Sequence, residues 1–129
     1  MIKIGVDVVQ IPRVERIFAK FGQEFCRRIL HSKEIEFFND LKNNHCKFLA
    51  KRYAAKEAVS KAFGVGIGAL LKFTDILVFK DHLGAPKINI QENVIKSLLP
   101  YGYCRCELSL SISDDYPVAI AFVLVRFFP

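Results

Sequence analysis

The chain opens with a strongly apolar, β-branched stretch. Residues 2–9 read IKIGVDVV, and a run of this kind predicts a central strand buried on both faces of a sheet. Pro12 then suits the first turn of a helix, and Gly22 is suited to ending it. The apolar positions between them recur at helical spacing: Ile11, Val14, Ile17, Phe18 and Phe21. The pattern therefore predicts a strand followed directly by an amphipathic helix.

Two further helices are predicted after a short segment at residues 25–30. Ser32 is the expected N-cap of the first, with Glu34 in its opening turn. The second is the strongest helical signal in the chain and runs from about residue 46 to 63, because it is rich in alanine and carries a continuous apolar face. Gly64 is a typical residue at which such a helix ends.

A glycine-spaced loop, Gly64-Val65-Gly66-Ile67-Gly68, follows this helix. Glycines allow the backbone to approach a ligand closely. The phosphate-binding loops of nucleotide-binding folds precede a helix, however, so the spacing matches neither a P-loop nor a Rossmann motif. A simple helix-ending turn is the alternative.

The second half of the chain is predicted to be rich in strands. Short strands are expected at 76–79 and 87–90, on either side of a turn, and a helix over 92–99 should end at Pro100. Two longer strands, 104–113 and 118–127, are separated by a turn at 114–117 and should form an antiparallel hairpin. Together the elements predict an α+β fold, with a mostly antiparallel sheet packed against one long helix in a single domain over residues 1–129.

Composition places the chain among ordinary globular proteins. It is 52% hydrophobic and 25% charged, which is enough apolar material for a packed core. The longest apolar run, 118–125, is far shorter than the roughly 20 residues of a membrane-spanning helix. Asp7 interrupts the N-terminal apolar stretch, so it does not resemble a signal peptide. We therefore expect a cytoplasmic protein without a membrane partner.

The four cysteines have no spacing typical of a disulfide framework, and four ordinary thiols are the simplest interpretation. A zinc site can be drawn from Cys26, His31, His45 and Cys46, but its spacing matches no familiar zinc motif.

The positive charge of the chain lies entirely in its first half. Residues 1–61 contain 13 Lys or Arg against 7 Asp or Glu, whereas residues 62–129 contain 6 of each. Such asymmetry indicates a basic face for an anionic partner. Nucleic acid, an anionic cofactor and an acidic protein all remain candidates, as does a merely solvated surface.

Asp7 and Glu57 are the acids whose surroundings are unusual. Asp7 lies within an apolar strand, where a buried charge must meet a metal or a cation such as an Arg or Lys from a neighbouring helix. Glu57 shares a helix face with Lys61, four residues on, so the two could form an exposed ion pair. Alternatively, Asp7 and Glu57 could be the two carboxylates of a Mg²⁺ site completed by substrate phosphates, which Lys61 would also face.

Several blocks of sequence occur together in one order. They are GVDVV at 5–9, FCRRILHSKEIEFF at 25–38, RYAAKEAVSKAFGVGIG at 52–68, FTDI at 73–76, GAPKI at 84–88 and SLSISDD at 109–115. In this order and spacing the chain resembles the small, single-domain holo-acyl-carrier-protein synthase type of phosphopantetheinyl transferase. The resemblance covers nearly the whole chain, and the helix block at 52–68 is its most specific part.

The resemblance implies an activity and an assembly. Members of this family have the 4′-phosphopantetheinyl transferase fold and form trimers with active sites at subunit interfaces. They move 4′-phosphopantetheine from coenzyme A to a serine of an acidic apo acyl carrier protein, in a Mg²⁺-dependent reaction that supports fatty acid biosynthesis. A small basic nucleic-acid-binding domain is the main rival, but it explains neither Asp7 nor the Glu57–Lys61 pair. A non-catalytic member that binds coenzyme A or carrier protein without turnover is a second.

The resemblance also implies roles for individual residues. Asp7 and Glu57 match the two Mg²⁺ ligands, and with Lys61, which contacts the phosphates, they are the expected catalytic residues. The remaining matches concern binding: Arg52 with Gly64, Gly66 and Gly68 at the nucleotide end of coenzyme A, Gly84 and Pro86 in a turn beside the adenine, and Arg13 and Arg28 at positions that dock the carrier protein. Where many members have histidines on either side of the Ser-Ile-Ser run, this chain has Ser109 and Asp114, which is a departure from the family pattern.

Overall fold

The computed structural model describes all of residues 1–129. It contains five strands, five α-helices and one 3-10 turn, and none of the helices is both long and apolar enough to cross a membrane. In chain order the elements are β1 (Ile2–Gln10), α1 (Ile11–Phe21), α2 (Gln23–Ile29), α3 (Ser32–Asp40), α4 (His45–Phe63), the 3-10 turn (Phe73–Asp75), β2 (Ile76–Lys80), β3 (Pro86–Ile90), α5 (Glu92–Leu98), β4 (Arg105–Asp115) and β5 (Val118–Phe128).

The strands form two antiparallel sheets. One has the order β1-β5-β4, and the other is the separate hairpin of β2 and β3. The predicted α+β class, with an antiparallel sheet against one long helix, is confirmed, and so is the β4–β5 hairpin. Both strands of that hairpin are longer than predicted, because β4 extends to Asp115 and β5 to Phe128, and only Tyr116 and Pro117 remain in the turn.

Helix α4 is the central element of the core and lies across β1 and β5. Its sheet-facing side is made largely of small side chains, which let the helix axis come close to the strands. The residues of α4 that are buried and apolar are Leu49, Ala50, Ala54, Ala55, Ala58, Val59, Ala62 and Phe63. Gly64 ends the helix as predicted, in the left-handed conformation with φ of 75°.

The prediction that β1 is buried on both faces is wrong for the chain by itself. Gly5 and Val9 point toward the helices and are buried, whereas the alternate residues of β1 are 47–60% exposed. The reason is that the helices cover only one side of the three-stranded sheet. The uncovered side, called here the open sheet face, consists of Ile2, Ile4, Val6, Val8, Ser109, Ser111, Ser113, Ile120 and Phe122.

The N-cap of α3 also differs from the prediction. His31, and not Ser32, takes the extended conformation that precedes the helix, and its Nδ1 accepts a hydrogen bond from the Lys33 amide at 3.1 Å. The carboxylate of Glu34 in turn accepts from the His31 amide at 2.9 Å. These reciprocal bonds form a capping box in which a histidine replaces the usual hydroxyl residue.

Candidate functional site

Asp7, Glu57 and Lys61 line one cavity of about 670 Å³, called here the carboxylate cavity. Its walls come from β1, α1, α2 and α4, with Arg13, Tyr53 and Gln10 among its other polar members. Asp7 is brought there because residues of a strand alternate sides, so that it faces α4 together with Gly5. Glu57 and Lys61 lie one helical turn apart on α4.

Lys61 is the cationic partner of Asp7. Its Nζ lies 3.0 Å from Asp7 Oδ1 and donates a second hydrogen bond to the Val6 carbonyl oxygen at 3.0 Å. The Asp7 side chain is 15% exposed and that of Lys61 is 53% exposed. The i,i+4 surface pair between Glu57 and Lys61, one of the two interpretations of the sequence, is therefore replaced by a pair that joins helix to strand.

The Asp7 and Glu57 carboxylates crowd each other in the carboxylate cavity, although two cations, Arg13 and Lys61, line the same space. Burial raises the pKa of Glu57, and the nearby Asp7 charge raises it further, while Lys61 and a hydrogen bond from Tyr53 oppose the change. The pKa of the Tyr53 hydroxyl is raised as well, first by burial and then by Glu57 and Asp7. A bound cation would relieve this crowding.

The Asp7 and Glu57 carboxylates suit a metal ion that binds only a few protein ligands. Nowhere does the chain bring together three or more His, Cys, Asp or Glu side chains in a metal-binding arrangement. Asp7 and Glu57 therefore offer two carboxylates, which is the protein contribution that Mg²⁺ commonly uses when substrate phosphates and water complete its octahedron.

Arg52 lies elsewhere, in a second cavity of about 550 Å³ that we call the arginine cavity. Its guanidinium stacks on the Phe48 ring at 4.4 Å, and Lys33 and Lys80 line the same space. The two cavities share no lining residue, so the structure of one chain does not bring Arg52 to Asp7 and Glu57.

A buried ion cluster lies behind the arginine cavity. The ammonium of Lys56 donates to the Glu34 carboxylate, to the Ile29 carbonyl oxygen at 2.7 Å and to the Phe73 carbonyl oxygen at 3.1 Å. Glu34 Oε2 also forms an ion pair with Arg52 Nε at 3.1 Å. Burial lowers the pKa of Lys56 to about 8 against the opposing effect of Glu34.

The predicted glycine positions lie outside both cavities. Gly64 is required by its positive φ at the helix end, but a Cβ at Gly66 or Gly68 would meet nothing within 4 Å. Contacts inside the chain therefore do not explain why these two residues are glycine.

Gly84 lies in the turn between β2 and β3 with φ of 84°, where Asp81 Oδ1 accepts hydrogen bonds from two amides. Pro86 begins β3 opposite Lys80, a residue of the arginine cavity. The turn that we expect beside the adenine is thus connected to the arginine cavity by the pairing of Pro86 with Lys80.

The predicted docking residues lie on the first two helices. Arg13 is exposed on α1 and lines the carboxylate cavity, and Arg28 is exposed on α2. Their exposed basic neighbours on the same helices are Arg16, Lys20 and Arg27. The surface formed by these five residues is called here the basic face.

The two positions that depart from the family pattern have different surroundings. Ser109 lies on the open sheet face opposite Leu124. Asp114 forms ion pairs with Lys47 at 2.9 Å and with Lys51 at 3.2 Å, which tie the β4–β5 hairpin to α4. The hydrogen bond from Lys47 lowers the pKa of Asp114 most, with Lys51 adding to the effect.

Sequence reasoning did not single out Tyr53, Lys56 or Glu34 as parts of a site. Tyr53 could have been found from its position four residues before Glu57, which places both on one helix face. The pairing of Lys56 with Glu34 has no comparable signal, because the two residues are 22 apart in the chain and lie on different helices.

A sequence model of the 4′-phosphopantetheinyl transferase superfamily matches residues 3–121. The chain therefore belongs to the 4′-phosphopantetheinyl transferase superfamily.

Individual relatives indicate which type of transferase within the superfamily the chain is. The chain is 40% identical over 124 residues to the holo-[acyl-carrier-protein] synthase of Orientia tsutsugamushi strain Ikeda, covering 95% of this chain and 94% of that protein. The crystal structure of the synthase from Neisseria meningitidis matches with a TM-score of 0.87 and 39% identity, over 98% and 99% of the two chains. The Helicobacter pylori synthase, solved in complex with coenzyme A, matches with a TM-score of 0.81 and 36% identity, over 95% and 99%. The chain is thus an enzyme of the holo-[acyl-carrier-protein] synthase type.

Proposed function

We propose that this chain, as a single domain over residues 1–129, transfers 4′-phosphopantetheine from coenzyme A to a serine of an apo acyl carrier protein. The transfer depends on Mg²⁺ and supports fatty acid biosynthesis in the cytoplasm. The observation that carries the proposal is the convergence of Asp7, Glu57 and Lys61 in one cavity. The coenzyme A complex of the Helicobacter pylori relative supports the choice of donor.

Asp7 and Glu57 would hold the ion between them. When bound, Mg²⁺ supplies positive charge that offsets the charge developing on the pyrophosphate oxygens. Lys61 neutralises Asp7 in the chain alone. Because its side chain is half exposed and flexible, it can turn from Asp7 to the phosphates once another cation occupies the site.

The reaction is a displacement at phosphorus. The serine oxygen forms a bond to the phosphorus that carries pantetheine, and the bond from that phosphorus to the bridging oxygen breaks. The electron pair stays with adenosine 3′,5′-bisphosphate, which leaves. Glu57 accepts the serine proton directly or through a water. Lys61 stabilises the charge on the leaving group.

The arginine cavity is suited to an anion and is our proposed contact for the nucleotide end of coenzyme A. Arg52, Lys33 and Lys80 bring three positive charges to it, while its one acid, Glu34, is engaged by Lys56 and also pairs with Arg52. Gly66 and Gly68, whose backbone is open to approach, and the turn at Gly84 and Pro86 would complete this contact. The open space at both glycines supports a role in binding.

A trimer with active sites between subunits would allow residues that lie apart in one chain to contact one ligand. The open sheet face supports such an assembly, because it exposes apolar side chains of two adjacent strands. On β1 these are Ile2, Ile4, Val6 and Val8, and on β5 they are Ile120 and Phe122. Contiguous apolar surface of this kind is typical of protein interfaces.

The basic face is the proposed docking surface for the acyl carrier protein, which is acidic. Because Arg13 belongs to both the basic face and the carboxylate cavity, a carrier docked there would present its serine close to Glu57. Complementary charge of this kind guides encounter and fixes the orientation of the partner.

Replacement of the three cavity residues tests the proposal. Asp7→Asn, Glu57→Gln and Lys61→Met should each lower the release of adenosine 3′,5′-bisphosphate by about 100-fold or more. Glu36→Gln, at an exposed position of α3, is the matched control and should leave release unchanged. Near-normal turnover in Glu57→Gln with intact Mg²⁺ binding would show that Glu57 is not the base.

A further inference from the structure

Lys56 is completely buried and contacts three different elements. Its ammonium donates to the last residue of α2 through the Ile29 carbonyl, to the 3-10 turn through the Phe73 carbonyl, and to α3 through Glu34. A lysine with no exposed surface is rare in proteins unless it is paired. All three N–H groups of the ammonium donate to protein atoms, so Lys56 makes its contacts within the fold and none with solvent.

Glu34 is the single acid in contact with two cations. Its Oε1 accepts hydrogen bonds from Lys56 and from the His31 amide. Its Oε2 forms an ion pair with Arg52 Nε at 3.1 Å, and that buried nitrogen has no other partner. The cluster therefore holds two positive charges and one negative charge, and its stronger bond goes to Lys56.

The surplus positive charge is on Arg52, at the wall of the arginine cavity. If the ammonium of Lys56 were absent, the buried Glu34 charge would have Arg52 as its only cationic partner. An uncompensated buried carboxylate is costly, so the guanidinium, which already lies 3.1 Å from Glu34 Oε2, would alone have to compensate the Glu34 charge. That pair would no longer offer a net charge to the cavity.

We propose that Lys56 is a positioning residue, which engages Glu34 and thereby keeps the guanidinium of Arg52 available to the anionic nucleotide end of coenzyme A. This inference rests on the proposed function, in which the arginine cavity contacts that end of the donor. It assigns to the buried cluster a role in donor affinity in addition to its role in holding α2, α3 and the 3-10 turn against α4.

The test separates donor affinity from turnover. Lys56→Met should raise the KM for coenzyme A about tenfold at saturating carrier protein, because one charge-assisted contact to the donor is lost, while kcat changes less than about threefold. Binding of adenosine 3′,5′-bisphosphate, measured by calorimetry, should weaken by the same factor. Leu49→Ala, at a buried apolar position of the same helix, is the control for lost stability and should leave this KM unchanged.

Replacing Glu34 together with Lys56 provides the decisive comparison of KM values. In Lys56→Met/Glu34→Gln, Arg52 no longer faces a carboxylate, so the KM should return to within about threefold of the wild-type value. If Lys56 merely supports the fold, the second substitution will not lower the KM, because the Ile29 and Phe73 carbonyls remain without their donor. That result would overturn the inference.

Two further measurements distinguish failure of this inference from failure to fold and from failure of the proposed function. Should Lys56→Met fail to fold, Glu34→Gln alone decides, since it retains both carbonyl bonds of Lys56 and should lower the KM about threefold. A KM at or above the wild-type value would contradict the inference. Failure of the wild-type protein to transfer any phosphopantetheine would instead contradict the proposed function itself.

Discussion

Gly5 of β1 lies directly against the backbone of Ala58 of α4. A Cβ at residue 5 would overlap the Ala58 carbonyl oxygen and lie 2.6 Å from the amide nitrogen of Ala62. This close crossing places Asp7, two residues further along the same strand face, beside the helix turn that carries Glu57 and Lys61. The carboxylate cavity is therefore a consequence of how closely strand and helix pack.

The first prediction concerns this crossing. Gly5→Ala should destabilise the protein by at least about 3 kcal/mol, because the obstacle is backbone and cannot move aside as a side chain can. Gly66→Ala is the matched control, since its Cβ would meet nothing, and its free energy of unfolding should change by less than about 0.5 kcal/mol. Urea denaturation of both variants measures the difference. Equal stabilities would show that β1 and α4 are not packed in this way.

Much of the architecture and the centre of the site could be predicted from the sequence. Helix α4 has a continuous apolar face with a glycine at its end, and β1 has a carboxylate within an apolar run, so both patterns are local. The role of Glu34 could not be predicted, because its contacts join distant parts of the chain. The exposure of one face of β1 could not be predicted either. An apolar strand has the same sequence pattern whether its own chain or another copy of the chain covers it.

The second prediction concerns Asp114, which holds the β4–β5 hairpin to α4. Pairing with Lys47 and Lys51 lowers the pKa of Asp114 in the folded protein below its unfolded value of 3.8. The stabilisation is therefore complete above that value and is lost as the pH falls through the lower, folded pKa. Asp114→Asn should cost about 0.5 kcal/mol at pH 7, since the lysines are partly exposed, and nothing once wild-type Asp114 is protonated. Thermal unfolding across this pH range provides the measurement, and a pH-independent difference would argue against the ion pairs.

The third prediction concerns the basic face. If it docks an acidic carrier protein, the KM for that protein should rise steeply with salt, because screening weakens attraction between exposed charges. Arg28→Glu should raise this KM about tenfold at low salt, whereas Lys96→Glu on α5 should not. Steady-state kinetics at several salt concentrations test both statements. A KM that does not respond to salt would exclude electrostatic docking.

The fourth prediction concerns the open sheet face. Ile4, which is 60% exposed, lies on this face. If the face joins the subunits of the proposed trimer, Ile4→Lys should place charges inside the interface and convert the trimer to monomers. Leu83→Lys, at an equally apolar residue in the β2–β3 turn, is the control and should leave the assembly intact. Light scattering coupled to size exclusion gives the molar mass directly. A wild-type protein that is already monomeric would contradict the proposed trimer.

Mass spectrometry of an apo acyl carrier protein, incubated with this protein, coenzyme A and Mg²⁺, is the most direct test of the proposed function. The carrier should gain about 340 Da, the mass of one phosphopantetheine group, and the gain should be lost when EDTA removes the metal. No gain with several different carriers would contradict the proposed transfer and favour a protein that binds without transferring the group.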